Sequence, residues 1–180
     1  MEFIKTPLEG VFLIQPRVFE DERGYFYESY SKMMFEKNQV FADFVQDNQS
    51  LSQKGVLRGL HFQNPPFAQG KLVRVIKGAV LDVALDIRKR SATYGHHYSV
   101  RLDERNKSML WVPEGFAHGF LTLENDTIFS YKCTNVYNKE SEGSVLWNDP
   151  ALGIDWGIQD PVLSAKDQVS PAFGNFVSSF

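Results

Sequence analysis

Gly55-Val56-Leu57-Arg58-Gly59-Leu60-His61-Phe62-Gln63 and, shortly after it, Gln69-Gly70-Lys71-Leu72-Val73-Arg74-Val75 are the two stretches from which the fold can be read. Each is an apolar run broken by single polar residues and bounded by Gly or Pro, the usual look of a strand between turns. On a strand alternate residues share a face. Leu57, Gly59, His61 and Gln63 then take one face of the first run and Arg58, Leu60 and Phe62 the other, unless a bulge at Gly59 brings Arg58 round. His61, Arg58 and Lys71 thus interrupt adjoining apolar strands, where packing alone favours apolar side chains. A reaction that removes a proton beside a carbonyl has use for all three.

Working outward, similar runs recur at short intervals, and the pattern predicts strands over 11–15, 25–30, 44–48, 56–63, 71–77, 80–87, 97–102, 108–112, 118–123 and 128–134. Asp21-Glu22-Arg23-Gly24 reads as a turn, and Gly24, Gly55, Gly78 and Gly115 punctuate the runs. Ser31 is placed to cap a short helix over 32–37 that stops near Asn38. From Asn148 on the chain is less regular, with Pro150, Pro161, Pro171 and short helical stretches such as 164–167. This is the pattern of a mainly all-β, antiparallel jelly-roll barrel or sandwich with a few short, mostly C-terminal helices. One domain over 1–180 is expected: N-terminal strands in 1–50 flanking a barrel core over about 51–147, then an irregular tail over 148–180. No internal repeat or low-complexity linker divides it.

The composition suits that picture. The chain has 180 residues, 43% hydrophobic and 14% aromatic, enough for one substantial core. A net charge of -3 gives no nucleic-acid footprint and no polybasic membrane patch, so an anionic ligand needs a local cluster of Arg and Lys. Cys133 is the only cysteine, which excludes an intrachain disulfide and cysteine-based zinc sites. Neither a signal peptide nor an apolar run of membrane-spanning length is present, and a reducing, cytoplasmic setting is expected.

Phase along the later strands gathers more polar groups. Leu81, Val83, Leu85 and Ile87 form an apolar face with Asp82, Ala84 and Asp86 opposite. Phe129, Tyr131 and Cys133 are in phase, as are His118, Phe120 and Thr122. Each candidate has an ordinary explanation when taken alone. A strand histidine is usually a satisfied core or surface residue, as His96 and His97 beside Gly95 suggest of themselves. Tyr131 alone is a core aromatic, Lys71 a solvated strand start, and Arg58 half of a surface ion pair. Taken together, His61, Lys71, Asp82, His118 and Tyr131 point to one lined cavity, because burying several polar groups requires that they pair. Metal chemistry is disfavoured. Pro113-Glu114-Gly115-Phe116-Ala117-His118 resembles the second cupin motif, but Phe62 and Gln63 follow His61 where the first motif needs another histidine.

The whole set resembles the dTDP-4-dehydrorhamnose 3,5-epimerases, a family of metal-free cupins. The resemblance runs through Arg23-Gly24-Tyr25-Phe26, Gln46-Asp47-Asn48, the two opening stretches, Gly78 to Arg88, Pro113 to Phe120, Tyr131-Lys132 and Tyr137. It continues through Trp147-Asn148-Asp149-Pro150 and Leu163-Ser164-Ala165-Lys166-Asp167, so nearly the entire chain matches in order. One departure is Gly157, where a proline is expected after Trp156.

The resemblance implies roles residue by residue. His61 is the base that removes the proton beside the ketone, Asp167 its orienting carboxylate, Lys71 the cation at the enolate oxygen, and Tyr131 the acid on the opposite face. Arg23, Gln46, Asn48, Arg58, His118, Glu142 and Lys166 match positions that bind the nucleotide sugar. Phe26, Glu28 and Tyr137 match others in that pocket, Tyr137 near the thymidine diphosphate. It further implies a homodimer in which the segment of Arg23, Phe26 and Glu28 reaches the partner's site, no cofactor and no metal. The implied substrate is a dTDP-4-keto-6-deoxyhexose, inverted at C3 and C5. Inversion at one carbon only, a non-catalytic sugar-nucleotide-binding cupin and a metal-dependent cupin are the competing readings.

Overall fold

Strand pairing in the computed structural model, which describes residues 1–180, follows the alternation of the sequence closely. In chain order the elements are β1 (Glu2–Lys5), β2 (Phe12–Gln15), β3 (Phe19–Asp21), β4 (Gly24–Phe26), α1 (Lys32–Lys37), β5 (Gln46–Ser52) and β6 (Leu57–Gln63). Then come β7 (Lys71–Lys77), β8 (Ala79–Asp86), β9 (His97–Asp103), β10 (Met109–Val112), β11 (Phe116–Thr122), β12 (Thr127–Cys133) and β13 (Glu142–Ser144). Six strands form one sheet in the order β1-β2-β10-β7-β12-β5, five form another in the order β13-β6-β11-β8-β9, and β3 and β4 make a separate hairpin. The chain is a mainly β jelly-roll sandwich. β5 crosses residue 50, where the sequence reading passes from N-terminal strands to barrel core.

Three apolar clusters result from that two-sheet plan. Val73, Val75, Val80, Ala84, Phe116, Phe120 and Phe129 meet between the sheets. The alternate residues of the five-stranded sheet, Val83, Leu85, Ala117 and Leu121, face outward and are covered by Trp147, Leu152 and Trp156 of the tail. On the six-stranded sheet the outer residues Ile14, Leu72, Met109 and Trp111 are covered by Phe35 of α1 with Val40 and Ala42. The central strands β8, β10 and β11 are therefore buried on two faces, and this is why they read as near-continuous apolar runs.

Several boundaries differ from expectation. The strand expected over 44–48 begins at Gln46 and runs to Ser52, because Phe44 turns away to pack edge-on against Tyr30 and Trp111. The run 25–30 pairs only as far as Phe26. β1, β3 and β13 carried no usable signal; β13 is three polar or small residues that become a strand by pairing with β6. Ser31 stands at the start of α1, but its side chain makes no capping bond; its carbonyl accepts the Phe35 N–H at 3.0 Å.

Of the two registers left open at Gly59, the bulged one is present. His61 pairs with His118 and Arg58 with Phe120, so two residues of β6 stand against Gly119 alone. Gly59 has φ +134°, and a Cβ there would meet Gly119 Cα at 2.5 Å. The slip turns Arg58 and His61 to the same side, while Leu57, Leu60 and Phe62 go to the outer cluster. Gly157 has φ +68°, which no proline can adopt, so its departure from the family pattern marks a left-handed turn after Trp156.

Candidate active site

A cavity of about 610 Å³ opens between the two sheets, a size suited to a small organic ligand. One wall is the five-stranded sheet, with Arg58 and His61 on β6 and His118 on β11. The facing wall is the six-stranded sheet, with Lys71 on β7, Tyr131 on β12 and Asn48 on β5. The ladder brings these last three together, since Tyr131 pairs with Asn48 on one side and Val73 on the other, and Cys133 pairs with Lys71. The tail closes the remaining side with Ser164, Lys166 and Asp167.

Asp167 reaches His61 because the tail is stitched to the start of β6. The Leu57 N–H donates to the Val162 carbonyl at 3.0 Å, and the Val162 N–H to that of Gly55 at 2.8 Å. Beyond that bridge Ser164 Oγ accepts the Asp167 N–H at 3.2 Å, fixing the turn that carries the carboxylate. Asp167 Oδ1 then lies 2.5 Å from His61 Nε2. The Asp167 side chain is 3% exposed and that of His61 28%, so the carboxylate is inside and the ring faces the cavity. Burial works to raise the Asp167 pKa, but the His61 bond and charge, with Ser164 and Lys166, outweigh it and hold the carboxyl below its usual range. The pair can orient and stabilise an imidazolium.

His118 is paired in the same way, its Nε2 lying 2.9 and 3.0 Å from the two oxygens of the fully buried Asp82, with its ring stacked over Phe129. Asp82 therefore sits behind the wall and touches the cavity only through His118. Nowhere in the chain do three or more His, Cys, Asp or Glu gather as a metal would need. Arg58 is held by Ser52 Oγ, which accepts from Nε and Nη2 at 3.3 Å each.

Across the cavity, burial pushes the Lys71 ammonium below the ordinary lysine range, against the pull of Cys133, Asp82 and Glu142. Burial likewise pushes the Tyr131 phenol up, so it stays protonated at neutral pH. Thus a carboxylate-paired imidazole stands on one wall, with an ammonium and a neutral phenol on the other. That set can remove a proton from one side of a bound ring, stabilise a developing oxyanion and return a proton from the far side.

Gln46, Tyr137 and Glu142 lie outside the cavity lining, but a relay ties them to it. Lys166 is ion-paired with Glu142, Glu142 Oε2 accepts from the Tyr137 hydroxyl at 3.3 Å, and the Tyr137 N–H donates to Gln46 Oε1 at 2.9 Å. Arg23, Phe26 and Glu28 are not brought to this chain's own cavity. Arg23 is on the exposed β3–β4 hairpin, bonded to Asp21, and Phe26 is 68% exposed. The sequence reading missed Ser52, Ser164, Gln49, Ser50, Phe120, Phe129, Val162 and Leu163. Ser164 had a signal, since Ser164-x-x-Asp167 is the spacing of a helix-start cap, and so had Phe120 and Phe129, in phase with His118 and Tyr131.

Comparison with known proteins gives the chain's family and fold. The family model described as dTDP-4-dehydrorhamnose 3,5-epimerase matches residues 5–175. The dTDP-4-dehydrorhamnose 3,5-epimerase of Salmonella typhimurium is 55% identical over 175 residues, covering 95% of this chain and 94% of that protein. The crystal structure of dTDP-4-dehydrorhamnose 3,5-epimerase from Elizabethkingia anophelis superposes with a TM-score of 0.93 at 53% identity, over 97% of each chain. That of dTDP-6-deoxy-D-glucose-3,5-epimerase from Legionella pneumophila, in complex with dTDP-4-keto-L-rhamnose, gives 0.93 at 46% identity, over 98% of this chain and 94% of that one.

Proposed function

This chain belongs to the dTDP-4-dehydrorhamnose 3,5-epimerase family, and from that membership we propose the route by which its own residues invert C3 and C5 of dTDP-4-keto-6-deoxyglucose. It is an isomerase of the dTDP-rhamnose pathway. Both carbons adjoin the C4 ketone, so one chemistry serves both. His61 takes the proton, assisted by Asp167, which favours the imidazolium that forms. Electron density moves to the ketone oxygen, where Lys71 stabilises the enolate by several kcal/mol. Tyr131 then delivers its proton to the opposite face. His61 is left protonated and Tyr131 ionised, and both reset through solvent before the second carbon is treated. No oxidation state changes in either step.

The observation that carries this reading is the placement of the His61–Asp167 pair and of Lys71 with Tyr131 on facing walls of one cavity. A binding module has no use for that opposition. Arg58, His118, Asn48 and Lys166 are the proposed contacts for the sugar and diphosphate, guanidinium being matched to oxyanions. Gln46, Glu142 and Tyr137 extend that site toward the thymidine. We further propose a homodimer in which the β3–β4 hairpin and the residues just after it deliver Arg23, Phe26 and Glu28 to the partner's cavity, and a cytoplasmic setting, in which the single buried thiol stays reduced. No helix of the chain is long and apolar enough to cross a membrane.

The test is product stereochemistry. Borohydride reduction of the equilibrated mixture and analysis of the released sugar should yield L-configured 6-deoxyhexoses. Material inverted at C3 alone would identify a mono-epimerase, and unchanged D-sugar from a bound substrate would refute the reading.

A further inference from the structure

Asp167 reaches His61 from a tail that is tied to the start of β6 upstream, at the Val56–Val162 bridge. With that tie alone, the turn carrying the carboxylate is free to swing away from the ring. Further ties lie past Asp167. β13 is bonded to β6, with Ser144 opposite His61 in the ladder and the Val145 N–H donating to the Leu60 carbonyl at 3.0 Å. The tail then runs beside β13. The Ser170 hydroxyl donates to Ser144 Oγ at 3.0 Å, and the Leu146 N–H donates to the Pro171 carbonyl at 2.8 Å. The serine pair is the first of these ties beyond Asp167, separated from it only by the short helical turn Asp167–Val169.

His61, Ser144, Ser170 and Asp167 thus make a closed circuit. His61 faces Ser144 across the ladder, Ser144 is bonded to Ser170, and Ser170 ends the turn from which Asp167 Oδ1 lies 2.5 Å from His61 Nε2. Neither serine lines the cavity, and Ser170 is buried. Lys166 also reaches β13, by its ion pair with Glu142, but that pair is partly exposed and so a weak tether. A bound diphosphate competes with Glu142 for the same ammonium. The two hydroxyls carry no charge and keep their bond when substrate arrives. We propose that Ser144 and Ser170 are positioning residues for proton removal: their hydroxyl bond locks the Asp167 turn to the strand beside His61 and so holds the carboxylate on the imidazole.

That role rests on the epimerase reading above, and the two fail separately, because one readout needs no substrate. Ser144→Ala, Ser170→Ala and the double variant remove the bond, whereas Ser144→Thr keeps a hydroxyl and suits a strand. With dTDP-4-keto-6-deoxyglucose, kcat for inversion should fall about tenfold in each alanine variant, the scale on which misplaced groups act, with KM within about twofold. The double variant should lose no more than either single one, since both changes remove the same bond. Ser144→Thr should keep kcat near that of the wild type. Without substrate, nuclear magnetic resonance of histidine-labelled protein reads the proton shared by His61 and Asp167. Its signal should move upfield in the alanine variants, while that of the His118–Asp82 pair stays in place. If one alanine variant fails to fold, the other carries the comparison. An unchanged kcat or an unmoved His61 signal in the alanine variants, a rise in KM with kcat intact, or losses that multiply in the double variant would overturn the proposal. Wild-type protein that binds the sugar nucleotide and does not invert it would overturn the epimerase reading instead, and the His61 signal would still decide whether the serines hold the pair.

Discussion

His61 and Tyr131 divide the proposed reaction, and single substitutions separate their parts. His61→Ala should abolish both inversion and solvent exchange, since removing a general base costs about 10²–10⁴ in rate. Tyr131→Phe should keep exchange, because a protonated His61 can return a solvent-derived proton to the face it came from, while inversion is lost. Nuclear magnetic resonance of the sugar protons in heavy water distinguishes these outcomes; equal loss of exchange in both variants would contradict the division. Lys71 gives a prediction of opposite sign for activity and stability. Its folded pKa is lowered by burial, so the fold disfavours the ammonium. The cost is fully present below the folded pKa and vanishes as pH rises toward the ordinary lysine value. Lys71→Met should therefore raise Tm at pH 7 while lowering kcat by about two orders of magnitude. A lower Tm in that variant would show that Lys71 makes structural contacts of greater weight than its desolvation. At this scale residue types were legible from sequence: the histidine, lysine and tyrosine stood out as polar groups on apolar strands. Ser52 was not, because a serine that holds a guanidinium resembles any other serine until the chain is folded, and Ser164 showed only the spacing of a cap.

At the scale of elements the decisive feature is the β6–β11 bulge. It turns Arg58 and His61 to one side, and it depends on two glycines in contact, Gly59 and Gly119. Gly59→Ala should destabilise the protein by about 3 kcal/mol or more, because a Cβ against backbone forces the strands apart and φ is unsuited to alanine. Residual folded protein should bind substrate poorly, as Arg58 and His61 lose register; a thermal melt with a binding titration checks both. A second element-scale prediction concerns the end of β8. Asp86 is fully buried and its burial works against ionisation, yet bonds from Arg88, Ser91 and Thr93 lower it to about 2. With the unfolded value at 3.8, the stabilisation, about 2 kcal/mol, is present above pH 4 and lost as pH falls from about 4 to 2. Asp86→Asn should lower Tm at neutral pH and flatten the acid end of the Tm–pH curve. The sequence allowed the bulge without requiring it, since periodicity gives phase and only pairing gives register. The short strands β1, β3 and β13 escaped for the same reason: three or four residues hold too little pattern, and pairing partners make them strands.

Across the whole molecule the site is assembled from parts far apart in sequence. His61, Lys71 and Tyr131 come from the sandwich, but Asp167 comes from the tail through the Val56–Val162 bridge. The fold class was readable because both sheets are covered at their centres, so that β8, β10 and β11 are almost wholly buried and largely apolar; the path of the tail was not, because short turns rich in Pro and Gly carry no period. The family resemblance supplied Asp167 as a partner, and the geometry supplied the reason. Arg23, Phe26 and Glu28 remain outside this chain's cavity, and subunit mixing tests their proposed use. If the hairpin serves the partner, mixing inactive Arg23→Ala with inactive His61→Ala protein should regenerate activity, because one cavity of each mixed dimer receives both intact residues. Mixtures that remain inactive while exchanging subunits would assign the hairpin another role.

Heavy-water exchange shows whether facing walls of one cavity remove and return protons on either side of a keto sugar. Wild-type protein and dTDP-4-keto-6-deoxyglucose in deuterium oxide should give a sugar labelled at both C3 and C5, with inverted configuration at each and no label at C2. A substrate that binds and acquires label at neither carbon would contradict the account.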